Sequence, residues 1–182
     1  MLYTRKGDDG KTIGFGCDQR FSKSSAIAEA LGSLDEINSF LGICKLKVQS
    51  IDFKISDKKP LDLLEKIQQN LFIIQAQVAG ADKKIEEIEI KEIENIIDEI
   101  EKELPTIKNF FISGGTEQAS HLDFARTISR RAERRVVKVK EENEIIIDDL
   151  TLVYLNRLSS FLYAIARFFN HKYGINEESP KY

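Results

Sequence analysis

Apolar residues return at every third or fourth position through five long stretches of this chain, and proline stands at only three places, Pro60, Pro105 and Pro180. That period sets one side of a helix against a core, because a helical turn takes about 3.6 residues, whereas a half-buried strand demands strict alternation. Ile27, Leu31, Leu34, Ile37, Leu41 and Cys44 line the first stretch, residues 24 to about 48. Leu61, Leu64, Ile67, Leu71, Ile74 and Val78 line the second, which Pro60 opens. Proline suits that position, since its missing N–H would have no helical partner in the first turn. Ile85, Ile90, Ile93, Ile96 and Ile100 mark a third, over 83–104, whose dense Glu and Lys pattern reads as a solvent-facing surface without chemistry. Thr116 offers a hydroxyl cap to a fourth, while Glu117 and Gln118 stand too early for a capping box. A charged connection over 141–149 leads to the fifth, 150–173, with Val153, Tyr154, Leu158, Phe161, Leu162 and Ile165 inward.

The expected architecture is all-α, an antiparallel bundle of five helices in one domain. Residues 1–23 form a glycine-rich loop ahead of it, 24–173 the bundle, and 174–182 a loose polar tail. Gly32, inside the first helix, costs about 1 kcal/mol relative to alanine, which predicts a close packing contact. Asp35, Glu36 and Asn38 read as a solvated face of the same helix. A net charge of -3 argues against a general nucleic-acid binder. The start of the chain shows no signal peptide, and no apolar run spans a bilayer, so the expectation is a cytoplasmic protein with no membrane partner. Cys17 and Cys44 are too isolated for a disulfide framework or a zinc site, so no metal ligands are assigned.

Two segments stand outside this helical logic. The first, residues 3–16, has glycines at 7, 10, 14 and 16, cations at Arg5, Lys6 and Lys11 with Lys23 beyond, and hydroxyls at Thr4 and Thr12. These are the parts of a phosphate cradle made of backbone N–H groups and cations, although the spacing is not that of a Walker A loop. Asp8 and Asp9 form an acidic pair that could approach magnesium. The second segment is the fourth helix, where Arg126, Arg130 and Arg134 fall in one row and Arg131 and Arg135 in another, with Glu133 among them. So many guanidiniums on one helix require acidic groups opposite, and arginine in particular suits bidentate recognition of phosphate or carboxylate. Asn156, beside Arg157 on the last helix, is a further candidate contact. His121 and His171 lack the partners of a catalytic triad or metal site. The chemistry therefore points to positioning and charge neutralisation around a phosphate-bearing substrate.

Thr4-Arg5-Lys6-Gly7-Asp8-Asp9-Gly10-Lys11-Thr12 and Glu29-Ala30-Leu31-Gly32-Ser33-Leu34-Asp35-Glu36-Ile37-Asn38 resemble the opening of the PduO-type ATP:cob(I)alamin adenosyltransferases. The match continues through Phe110 to Thr116, Ala125-Arg126, Arg130 to Arg135 and Tyr154-Leu155-Asn156-Arg157-Leu158, in the same order. The resemblance implies a five-helix bundle assembling as a homotrimer, with ATP bound between subunits and magnesium accompanying the nucleotide. It implies transfer of the 5′-deoxyadenosyl group of ATP to the cobalt of cob(I)alamin, with release of triphosphate. A corrinoid reductase and an adenosylcobalamin-dependent enzyme would be the partners on either side. By the same resemblance Thr4, Arg5, Lys6, Gly7, Asp8, Thr12, Ile13 and Lys23 form the phosphate side. Arg130, Arg131, Ala132, Glu133, Arg134 and Asn156 form the rest of the nucleotide site. Arg126 would pair with Asp35 across the subunit interface, and Phe110 would wall the corrin site and keep the lower ligand off cobalt. Ser113 stands where the family usually has proline, Leu31 where it has an aromatic, and Ile13-Gly14-Phe15 departs from the usual run. Two other readings stand beside this one: a non-catalytic carrier or sensor of ATP or cobalamin, and a helical nucleic-acid module resting on residues 126–140 alone.

Overall fold

The computed structural model describes residues 3, 5–13, 20–143 and 145–182. Its elements are β1 (Lys11–Ile13), β2 (Arg20–Ser22), α1 (Ala26–Val48), α2 (Pro60–Val78), α3 (Glu87–Glu103), α4 (Glu117–Glu141) and α5 (Asp149–Lys172). The five helices occupy the five periodic stretches, and each runs opposite to the one before it. Side-chain pairs fix that sense. Glu29 of α1 meets Arg135 of α4 at 3.5 Å, Glu36 meets Arg131, and Lys47 meets Glu117 at 2.7 Å, so the two helices read past each other in reverse. Asn38 and Gln68 exchange side-chain-to-backbone bonds at 3.3 and 2.9 Å, and Lys45 meets Glu65 at 3.8 Å, so α2 runs against α1 in the same way.

Helix α5 is the centre. Tyr154, Phe161, Phe168 and Phe169 on it are all fully buried, and it packs against α2, α3 and α4. Polar groups drawn into this core are paired, apart from Gln75 Nε2 among the described residues, as an unpaired buried donor or acceptor costs about 1–3 kcal/mol. Asn70 donates to Tyr154 Oη at 3.0 Å, and Thr151 Oγ1 to Gln77 Oε1 at 2.7 Å. Burial pushes the Cys44 thiol up to about 12, which keeps it a protonated core residue.

Four expectations change. Helix α3 begins at Glu87, not at 83, because Glu86 and Glu89 form a reciprocal capping box, with Glu86 N–H donating to Glu89 Oε2 at 3.1 Å. Ile85 is buried ahead of the cap, in the position of a hydrophobic staple to buried Ile90, which is why its spacing imitates helix. Residues 1–23 are not all loop: β1 and β2 pair antiparallel with Thr12 opposite Phe21, and Phe21 packs on the core. Asn38 is buried rather than solvated, held by Gln68.

Gly32, finally, makes no close contact: it is exposed, and a Cβ built there would meet nothing within 4 Å. Gly32→Ala is therefore expected to raise stability by about 0.5–1 kcal/mol, through helix propensity and a less free unfolded chain. Thermal melting of the two proteins checks this, and a lower melting point would mean that another subunit lies against that surface.

Candidate active site

The site is built where α4 begins. Thr116 caps the helix, its Oγ1 accepting from Ala119 N–H at 3.1 Å. The two residues before it, Gly114 and Gly115, have φ of 129° and 109°, a region that only glycine enters freely. Asn170 of α5 closes on this turn: its Oδ1 accepts from Thr116 N–H at 3.0 Å and its Nδ2 donates to Gly114 O at 2.8 Å. Asp123, buried about two turns into α4, accepts from Gly114 N–H at 3.2 Å and from Arg126 Nε at 3.4 Å. The aromatic loop 105–115 is thus fixed at one end by both α4 and α5.

Its other end is held by Arg167. This guanidinium is 5% exposed and reaches the Glu177 carboxylate through Nε and Nη2 at 2.9 to 3.1 Å. It also donates to Pro105 O at 3.2 Å and lies 5.1 Å from the centroid of the Phe111 ring. Ile112 N–H donates to Glu178 O at 2.8 Å. The tail 174–182, expected to be loose, therefore folds back on the loop, since a buried guanidinium requires a carboxylate and the tail supplies it. With Phe111 turned inward, Phe110 stands out at 80% exposure. It lines two hollows. One, of about 370 Å³, is shared with Phe111, Arg126, Arg130, Ser159 and Tyr163. The other, of about 550 Å³, is shared with Lys108, Ser179, Pro180 and Tyr182.

The arginines of α4 divide according to their partners. Arg131 and Arg135 are taken by Glu36 and Glu29 of α1, and Arg126 by Asp123. Arg130 and Arg134 are exposed and have no hydrogen bond or ion pair among the described residues. Asp35 is exposed too and does not meet Arg126 within the chain. Glu133 and Asn156 are brought together, Asn156 Nδ2 donating to Glu133 Oε1 at 3.1 Å. Arg157 Nη1 donates to the other end of that amide at 3.1 Å and is itself anchored by Glu94 of α3 at 2.7 Å. A helix that the sequence left without chemistry thereby orients Asn156. Ala132, by contrast, is fully buried on the core stripe.

In the N-terminal segment the polar groups mostly bind one another. Lys23 Nζ donates to Gly7 O at 2.7 Å, and Arg20 Nη2 to Lys6 O at 2.6 Å and to Asp9 Oδ1 at 2.8 Å. Asp9 also accepts from Lys11 N–H at 3.1 Å. That backbone bond, with Arg20 beside it, holds the Asp9 carboxyl below its usual range. Asp9 is thus a turn-former, while Asp8 is exposed. Arg5 has φ 58° and donates to Tyr3 Oη at 3.3 Å. Thr12 is half-buried and Ile13 exposed on β1. Thr4, Gly14, Phe15, Gly16 and Cys17 lie outside the described residues.

Sequence reasoning missed Asp123, Asn170 and Glu177. A signal existed for Asp123, three residues before Arg126 on one helix. Arg167 showed only as a polar break in the apolar run of α5, and Asn170 was not singled out.

A family model described as cobalamin adenosyltransferase matches residues 2–169. The corrinoid adenosyltransferase PduO of Citrobacter freundii is 38% identical over 177 residues, covering 93% of this chain and 50% of that protein. The corrinoid adenosyltransferase of Bacillus subtilis is 38% identical over 180 residues, covering 97% of this chain and 90% of that one. The chain thus spans about half the length of the PduO relatives and nearly all of the Bacillus one. Among solved structures, a variant PduO-type ATP:corrinoid adenosyltransferase from Lactobacillus reuteri, complexed with cobalamin and ATP, matches with a TM-score of 0.87 at 33% identity over the whole of both chains.

Proposed function

Since the chain belongs to the cobalamin adenosyltransferase family, we propose that it transfers the 5′-deoxyadenosyl group of ATP to the cobalt of cob(I)alamin. The observation that carries this is Arg130, a guanidinium without a carboxylate at the edge of a hollow walled by Phe110. Cob(I)alamin is itself the nucleophile. Its cobalt electron pair forms the bond to C5′, the C5′–O bond breaks, and that pair leaves on triphosphate. No side-chain base is needed, and the protein's task is to align the reactants and neutralise the leaving group. Arg130 and Arg134 are available for that charge, and the cations Arg5 and Lys23 stand on the N-terminal side. Among the described residues no three His, Cys, Asp or Glu side chains gather as a metal site, so magnesium enters this reading as part of the MgATP substrate. Phe110 is read as the aromatic that keeps the lower ligand from cobalt. A reductase that supplies Co(I) and an enzyme that consumes adenosylcobalamin are the implied neighbours, in the cytoplasm.

A homotrimer with the nucleotide between subunits fits the same features. Hydrogen bonds from Arg20 and Lys23 stay within the N-terminal segment, while Asp35, Arg130 and Arg134 are exposed without partners among the described residues. Asp123 engages Arg126 at Nε alone, which leaves the terminal nitrogens of that guanidinium for an aspartate of a neighbouring subunit. Asp35→Asn is accordingly expected to weaken assembly and to lower the rate. Sedimentation and initial rates check this, and unchanged values for both would remove Asp35 from the interface.

The direct test mixes the protein anaerobically with MgATP and chemically reduced cobalamin and follows the corrinoid absorbance. Conversion to adenosylcobalamin with equal release of triphosphate is expected. Binding of ATP without conversion would favour the carrier.

A further inference from the structure

We propose that Arg167 and Glu177 are positioning residues for the corrinoid side of the site, latching the C-terminal tail onto the aromatic loop and so setting where Phe110 stands. The proposal rests on the reading above for what Phe110 does, but not for the latch itself.

The geometry is specific. Arg167 projects from α5 into the base of the loop, is nearly buried, and spends its donors on Glu177 and on Pro105 O, the residue that begins the loop. Its guanidinium face lies against Phe111 at 5.1 Å and against Tyr163 at 5.9 Å. Phe111 is the neighbour of Phe110, and Tyr163 lines the same hollow as Phe110 and Arg130. One cation therefore fixes the start of the loop, the ring beside Phe110 and a wall of the cavity. Glu177 is the only carboxylate paired with it among the described residues. The next residue, Glu178, accepts from Ile112 N–H, so the ion pair also brings the tail backbone alongside the loop. Beyond that point Ser179, Pro180 and Tyr182 form the second hollow with Phe110.

A buried guanidinium deprived of its carboxylate is strongly disfavoured and moves toward water. Phe111 loses its stacking partner as it does so, and Phe110 moves with it. Arginine is required for this role, because a lysine offers neither the flat face nor the fork.

The test uses Glu177→Gln and a chain ending at Ile175, changes at the surface end of the latch that leave the helices intact. Amide exchange at Ile112, read by mass spectrometry without substrate, reports the latch alone. Protection is expected to fall in both variants, and unchanged protection would overturn the latch whatever the enzyme does. Kinetics then report the positioning role. The corrinoid KM is expected to rise, or kcat to fall, by about ten-fold to a hundred-fold, the scale of a small misplacement at a reacting centre. The KM for ATP should stay the same. Cob(II)alamin bound with MgATP should lose part of the absorbance that marks a cobalt without its lower ligand. Lost protection with normal corrinoid kinetics and spectrum would overturn the positioning role, as would equal rises in both KM values. If the unmodified protein fails to make adenosylcobalamin, the functional reading falls, and the exchange result still decides the latch.

Discussion

Arg130→Ala is expected to lower the rate of adenosyl transfer by about 10²–10³-fold, the usual cost of removing one preorganised donor from a developing negative charge. Its melting temperature should stay within a degree or two of the unmodified protein, roughly the spread of a neutral surface change. Both halves follow from what the side chain touches. Arg130 is exposed and has no partner among the described residues, so its removal strands no buried carboxylate. Alanine is also the best helix former, so α4 is not weakened by the exchange. Arg135→Ala is the comparison. It has the same charge change on the same helix, but it gives up a 3.5 Å pair with Glu29, both side chains being exposed. Such pairs contribute about 0–1 kcal/mol, and the rate should remain near that of the unmodified protein. Single-turnover rates with MgATP and reduced cobalamin separate the two variants. Equal rates in both would remove Arg130 from the reaction.

This contrast between two neighbouring arginines was not legible in the sequence. Residue type and spacing placed five guanidiniums on one helix and demanded acidic groups opposite them. Which ones are neutralised depends on the register of α1 against α4, where Glu29 and Glu36 fall opposite Arg135 and Arg131. That register is a tertiary fact with no local signal. The helices were legible because each buries a continuous stripe, and Thr116 was legible as a cap because capping is local. The three-residue strands were not, since so short a segment carries no usable alternation. The clamp around the aromatic loop lies between these cases. Residues 109–115 read as a short aromatic loop, but the parts that hold it, Asp123, Asn170, Arg167 and Glu177, come from α4, α5 and a tail too polar to show any period.

The glycine turn yields the largest expected loss of stability. Gly115→Ala should destabilise the protein by about 3–5 kcal/mol, combining a strained backbone with the loss of a buried hydrogen-bonded clamp. The φ of 109° alone disfavours any residue with a Cβ, at about 1–3 kcal/mol. The added methyl would lie 2.3 Å from Asn170 Oδ1, and Asn170 is 5% exposed with little room to retreat. If Asn170 moves, Thr116 N–H and Gly114 O lose their partner together. At roughly 2–4 °C per kcal/mol for a chain of this size, the melting temperature should fall by on the order of 10 °C. Gly10→Ala separates the two causes, because Gly10 has φ 78° but a Cβ there would meet nothing within 4 Å. It carries the backbone term alone, and its loss should be about 1 kcal/mol. Thermal melts followed by circular dichroism compare them. A Gly115→Ala protein no less stable than Gly10→Ala would mean that Asn170 can leave the turn freely. The aromatic loop would then be held by Asp123, by Arg167 and by the Ile112–Glu178 backbone bond.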